Sequence, residues 1–195
     1  MAYSFRLEVG TIGKTMKAFL LCGSIAEKSH TLALLKYIEE LLKEKGWQAA
    51  LWDLKTSPLP IALPEYHQDP TLNSDKEVQR FVAAVEESDV VILGSPLYHG
   101  SYTGVIKNAL DNLRGDAFHG KWAALVGNAG GSRASHVQFP HLRQVVNALV
   151  GYSAQTQIGT SKGDYQEFPD RYLLTDQEVK ERCERLVNEL FTIFS

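Results

Sequence analysis

The sequence predicts an α/β protein, a three-layer sandwich in which helices cover both faces of a five-stranded parallel sheet. Two observations lead there. Short apolar runs alternate with helical periodicities five times along the chain, the pattern of a parallel sheet wrapped on both sides. One of those runs, "DVVILGSP", is apolar on consecutive residues, as a strand buried on both faces must be. A chain of 195 residues with 44% hydrophobic residues is large enough to form one domain around a full core.

The elements follow in order. Phe19 to Cys22 is a short buried strand. Leu34, Leu35, Ile38, Leu41 and Leu42 then recur at helical spacing, in a helix that begins near Thr31. Gly46 stops it just past its end. Trp47 to Leu54 is the second strand. Pro58, Pro60, Pro64 and Pro70 make the next connection too proline-dense for a helix and too apolar for a loose linker, so an ordered loop across the sheet's end is expected. Val78, Phe81, Val82 and Val85 mark the second helix, with Ser74 as its expected cap and Glu77 three residues on. After the third strand, Thr103 to Leu113 forms the third helix. "KWAALVGNAGG" is strand four and a glycine loop. A fourth helix spans Val137 to Val150 and restarts at Pro140, a residue suited to a first turn. "YSAQTQIG" is strand five. Val179, Cys183, Leu186, Val187, Leu190 and Phe194 mark the closing helix. Residues 1 to 15 are expected to be a peripheral extension, with the domain proper running over residues 16–195.

Five such strands suit the order 2-1-3-4-5, the flavodoxin-like arrangement. There the chain leaves strand one in one direction and strand three in the other, and the crevice between the loops that follow them takes the ligand. The first loop, Gly23 to Thr31, sits at a helix start, where unpaired amides and partial positive charge favour a phosphate. Ser24, Ser29 and Thr31 offer hydroxyls there. A plain N-cap role for Ser29 or Thr31 is the simpler alternative, weakened by the loop's place at the switch point. The second loop, Gly94 to Gly104, carries Pro96, Leu97, Tyr98, His99, Gly100 and Ser101, along which a flat aromatic ring can rest. It could equally be a structural turn with a surface tyrosine. The third, Gly127 to Arg133, carries Asn128, Gly130 and Gly131, either a wall against the ring or ordinary turn glycines.

Other chemistries lack their motifs. No G-x-G-x-x-G follows the first strand and no Walker sequence is present, which argues against a Rossmann dinucleotide or a nucleoside triphosphate. Asp53 reads as a loop-cap residue. The serines lack the G-x-S-x-G elbow of a hydrolase, and the histidines show no metal spacing. A net charge of -3 gives no reason to expect nucleic acid or an anionic membrane. No apolar run reaches membrane-spanning length. Cys22 and Cys183 read as two buried, reduced thiols, which fits a cytoplasmic setting. One phosphate site beside one flat-ring site points to a mononucleotide.

The segments "GSIAEKSHT", "SPLYHGSYTGVIKNALDNL" and "GNAGG", in this order at these strand ends, resemble the NADPH-dependent FMN reductase family over roughly Lys17 to Ile158. That family has the flavodoxin-like fold and includes flavin, azo-dye, quinone and chromate reductases. The resemblance implies FMN and NADPH (or NADH) as cofactors. It implies phosphate contacts from Ser24, Ser29 and Thr31, and ring and ribityl contacts from Pro96, Leu97, Tyr98, His99, Asn128, Gly130 and Gly131, with Gly100 and Ser101 in the same turn. It implies hydride passing from NAD(P)H through the flavin to a small acceptor. The flavin carries that chemistry, so no protein residue is expected to be strictly catalytic, and Tyr98 and His99 are candidates to orient substrate or supply a proton. The resemblance also implies a homodimer or homotetramer. Two departures stand out. Ala26 occupies the place of the family's first-loop arginine, with Lys28 nearby as a substitute charge, and His99 stands where asparagine is common. Lys107 and Asp111 read as an i, i+4 surface pair. The alternatives are a flavodoxin-like electron carrier, against which the weak net charge and the first loop argue, and the flavin reductase of a two-component monooxygenase.

Overall fold

The computed structural model describes residues 15–131 and 135–194. The expected amino-terminal extension, save Thr15, and residues 132–134 of the glycine loop lie outside the described residues. The strands are β1 (Lys17–Cys22), β2 (Gln48–Asp53), β3 (Val90–Pro96), β4 (Trp122–Ala129), β5 (Tyr152–Ser153), β6 (Ile158–Ser161), β7 (Tyr165–Glu167) and β8 (Tyr172–Leu174). The helices are α1 (His30–Glu44), α2 (Lys76–Glu86), α3 (Gly104–Asp111), α4 (Phe139–Ala148) and α5 (Gln177–Ile193). The main sheet is parallel and ordered β2-β1-β3-β4-β5, with β6 also paired to β4.

Side chains alternate across each central strand, and both sets are buried, as a covered parallel sheet requires. Phe19 and Leu21 of β1 and Val91 and Leu93 of β3 pack with Phe81, Ile106 and Leu142 from α2, α3 and α4. Leu20, Cys22, Val90 and Ile92 face the other way, onto Leu34 and Ile38 of α1 and Leu186 and Leu190 of α5. The doubly wound order places the β1–α1 and β3–α3 loops side by side at the carboxyl ends of the strands.

The expected elements are present with informative changes. Helix α1 starts one residue earlier than Thr31, because Ser29 Oγ accepts the Leu32 N–H at 3.0 Å. Gly46 follows the helix with φ +83°, the left-handed stop that glycine favours. Asp75 rather than Ser74 caps α2, its carboxylate accepting the amides of Glu77 and Val78 at 2.8 and 3.1 Å. Asp53 is the loop cap anticipated, accepting the Lys55 amide at 3.0 Å. The proline-rich connection is ordered: it contains two short 3-10 turns, Pro64–Tyr66 and Pro70–Leu72, and Asn108 of α3 pins it by accepting from the Ala62 amide and donating to the Pro60 carbonyl.

The fifth strand is interrupted. After Ala154 donates to Ala123 O, the amides of Gln155 and Thr156 turn to the Glu189 carboxylate of α5, at 2.7 and 2.9 Å. They satisfy the backbone there and break the ladder, and β6 then resumes pairing with β4 from Ile158. The antiparallel pair β7–β8, unanticipated from the sequence, lies over α1. Its Phe168–Arg171 turn, closed by Phe168 N to Arg171 O at 2.8 Å, contains Pro169-Asp170, a turn signal in its own right.

Candidate functional site

The first loop leaves β1 at Gly23, whose amide donates to Gly94 O of β3 at 2.7 Å. A Cβ on Gly23 would lie 2.9 Å from Ile106 Cβ and 3.1 Å from Gly94 O. The glycine is therefore required by the close approach of α3 and β3, and no left-handed turn is involved. Thr103 precedes α3 without capping it. Instead its Oγ1 donates to Gly23 O at 2.7 Å, and its amide donates to Ser95 Oγ at 3.0 Å. These bonds tie the base of the first loop to the base of the second.

Above that base, Ser24 is buried, with Oγ accepting the Ala26 amide at 3.4 Å. Ser29 caps α1, as the simpler alternative held, and Thr31 is buried in the first turn. The capping satisfies Leu32, while the amides of His30 and Thr31 have no intrahelical acceptor by their position. Lys28, the candidate substitute for the family's first-loop arginine, is already paired. Its ammonium pairs with Glu167 of β7 and lies 5.5 Å over the Tyr172 ring. His30 stacks on Tyr172 with ring centroids 3.7 Å apart and meets Tyr165 edge-on. Its Nε2 is buried without a hydrogen-bond partner among the described residues. Burial holds its imidazole below the ordinary value of 6.5, against the opposing pull of Glu167.

The second loop is a tight turn. Tyr98 N donates to Ser101 O at 2.9 Å and Ser101 N to Tyr98 O at 3.1 Å. His99 and Gly100 between them have φ of +50° and +80°, the two left-handed residues of a hairpin-type turn. Asparagine tolerates that first position well, so His99 in its place holds a less favoured backbone conformation. Tyr98 is 49% exposed at the crevice edge. Ser101 Oγ lies 2.9 Å from His141 Nδ1 of α4, a contact the sequence reading did not foresee. Leu97 N donates to Asn128 O at 2.8 Å, joining this loop to the end of β4. The Asn128 amide group is turned to Thr160, so only its backbone faces the loop. Gly130 and Gly131 are exposed, and among the described residues beyond their chain neighbours none lies within 4 Å of where a Cβ would sit on either.

All three loops thus meet at the carboxyl ends of β1, β3 and β4. Lys107 pairs with Asp111, Nζ to Oδ2 at 2.7 Å, and Asp53 ends β2 in register with Cys22, beside the first loop. Among the described residues no group of three or more His, Cys, Asp or Glu side chains could hold a metal ion, and no helix is long and apolar enough to cross a membrane. The donor set is neutral: amides and hydroxyls at a helix start, with open backbone planes opposite. That chemistry fits a phosphorylated ligand with a planar ring, such as FMN.

The fold and the crevice define a flavodoxin-like protein of the mononucleotide-binding class. Within that class, the chain belongs to the NADPH-dependent FMN reductase family, whose model matches residues 16–163. It is accordingly an oxidoreductase whose cofactors are FMN and NADPH. It is 36% identical to the FMN-dependent NADPH-azoreductase of Staphylococcus aureus over 180 residues, which cover 90% of this chain and 93% of that protein. The fold is shared with the apo form of an NADH:FMN oxidoreductase, at a TM-score of 0.73 and 21% identity, covering 93% of this chain and 91% of that one. It is also shared with a flavoenzyme NAD(P)H:(acceptor) oxidoreductase from Paracoccus denitrificans, at a TM-score of 0.64 and 19% identity, covering 91% and 98%.

Proposed function

We propose that this chain binds FMN in the crevice between the β1–α1 and β3–α3 loops and passes reducing equivalents from NADPH to a small acceptor, with azo compounds and quinones as the leading class. The observation that carries this reading is the fixed juxtaposition of an anion-ready helix start with the Tyr98 turn, held by the Thr103–Gly23 bond. The Staphylococcus relative's name supports the azo acceptor.

In this reading Ser24, Ser29, Thr31 and the amides of His30 and Thr31 hold the phosphate. Pro96, Leu97, Tyr98, His99, Gly100 and Ser101 run along one edge of the ring and the ribityl chain, and the backbone of Asn128, Gly130 and Gly131 lies against one face of the ring. With Ala26 in place of an arginine and Lys28 engaged by Glu167, the phosphate is held by hydrogen bonds and the helix dipole. Bound FMN supplies the hydride chemistry. The chain's residues fix the spacing of the two half-sites, direct backbone N–H groups at the ligand and leave one face open to NADPH and acceptor in turn. A homodimer or homotetramer in the cytoplasm completes the proposal, the two buried thiols suiting a reducing compartment.

The test is a visible spectrum and an FMN titration of the purified chain. A yellow protein bleached by NADPH under nitrogen, and recoloured by an azo dye, is the expected result. A colourless chain that neither quenches FMN fluorescence nor oxidises NADPH rejects the reading.

A further inference from the structure

The Ser101–His141 contact joins two elements 40 residues apart and serves neither the core nor a helix cap. Ser101 sits in the turn that carries exposed Tyr98, beside the face proposed for the acceptor. His141 is on the first turn of α4 and exposed to solvent. Either partner can donate across the 2.9 Å contact according to the imidazole's proton, so a proton can travel along it in either direction.

Reduction of an azo bond by two electrons needs such a path. Hydride, originating from NADPH, adds to one nitrogen and leaves the electron pair of the broken π bond on the other, which is then strongly basic. That nitrogen must gain a proton to give the hydrazo product. We propose that Ser101 and His141 form the proton path to such acceptors. Ser101 Oγ–H donates to the second nitrogen, His141 Nδ1–H returns a proton to Ser101 Oγ, and solvent reprotonates the imidazole. The balance is one azo compound, one hydride and one proton to one hydrazo compound, with NADPH oxidised to NADP. Ser101 touches the acceptor. His141 acts through it.

The proposal rests on the flavin reading above, so its test separates the two. FMN affinity is measured by fluorescence titration, and turnover with NADPH is compared for methyl red, which needs the proton, and ferricyanide, which takes electrons alone. In His141→Ala and in Ser101→Ala the ratio of methyl red to ferricyanide turnover is expected to fall about a hundredfold, the lower end of general-acid contributions. Added imidazole restores the ratio in His141→Ala and not in Ser101→Ala. Equal losses with both acceptors show a pair that only braces the turn and overturn the proposal, as does an unchanged ratio in either variant. Failure of the wild-type chain to bind FMN is read directly from the titration, independently of the acceptor ratio, and removes the flavin reading with this proposal.

Discussion

Ser29 occupies two roles that a single substitution separates. Its Oγ caps α1 by accepting from Leu32 N, and the same hydroxyl stands at the proposed phosphate. Ser29→Ala removes the cap and is expected to lower stability by about 1 kcal/mol, read from chemical denaturation. Ser29→Asp keeps a capping oxygen while adding a negative charge. It is expected to retain the wild-type denaturation midpoint and to lose FMN affinity, measured by fluorescence titration. Unchanged affinity in the aspartate variant removes the phosphate from this helix start. The serine was legible in the sequence because its position and type are local signals. His30 was not. Its stacking on Tyr172 comes from a hairpin some 140 residues further along the chain, and no local pattern announces such a partner. Likewise Lys28 reads as a spare cation in sequence, and only the fold brings Glu167 to it.

Among the elements, the broken fifth strand shows how a long-range carboxylate overrides a strand pattern. "YSAQTQIG" alternates well enough to be read as one strand. Glu189 of α5, more than thirty residues away, offers the amides of Gln155 and Thr156 better acceptors than the ladder, since bonds to a charged oxygen are stronger. Glu189→Ala removes the charged acceptor of both amides, Thr156's partly buried and Gln155's exposed. A stability loss of about 2 kcal/mol is expected, with faster hydrogen exchange confined to Gln155, Thr156 and their neighbours. A loss spread evenly over the sheet assigns Glu189 a different role. The helices were legible because 3.6-residue periodicity is written in consecutive residues. The cap of α2 slipped by one residue for the ordinary reason that Ser74 and Asp75 are both good caps, and the carboxylate prevails. The β7–β8 pair is three residues a side, too short for periodicity to register, with only Pro169-Asp170 marking its turn.

For the whole molecule, strand order and layer arrangement were legible, because alternation of buried strands and amphipathic helices admits few topologies. The expected crevice is where the loops of β1 and β3 meet. Hidden from the sequence was what ties the two together, since Thr103 and Gly23 are unremarkable residues 80 positions apart. The two thiols report on the same global order. Burial raises Cys22 and Cys183 from the usual 9.0 to about 12. The folded state therefore holds these protons more tightly than the unfolded chain. The stability this contributes is fully present below pH 9 and declines as pH rises from there toward 12. Thiol reagents at pH 8 are expected to label neither cysteine until the domain unfolds, so that labelling and loss of circular dichroism share one denaturant midpoint. Labelling well before that midpoint shows that the two faces of the sheet open separately. The Thr103–Gly23 bond has a last consequence. Because the bond roots both loops together, the proposed phosphate and ring positions are held at a set spacing, and the crevice then gauges the tether between them. For FMN seated as proposed, a flavin whose side chain is shortened or lengthened by one carbon is expected to bind more weakly than FMN itself, a selection by length set by the frame and read by fluorescence titration.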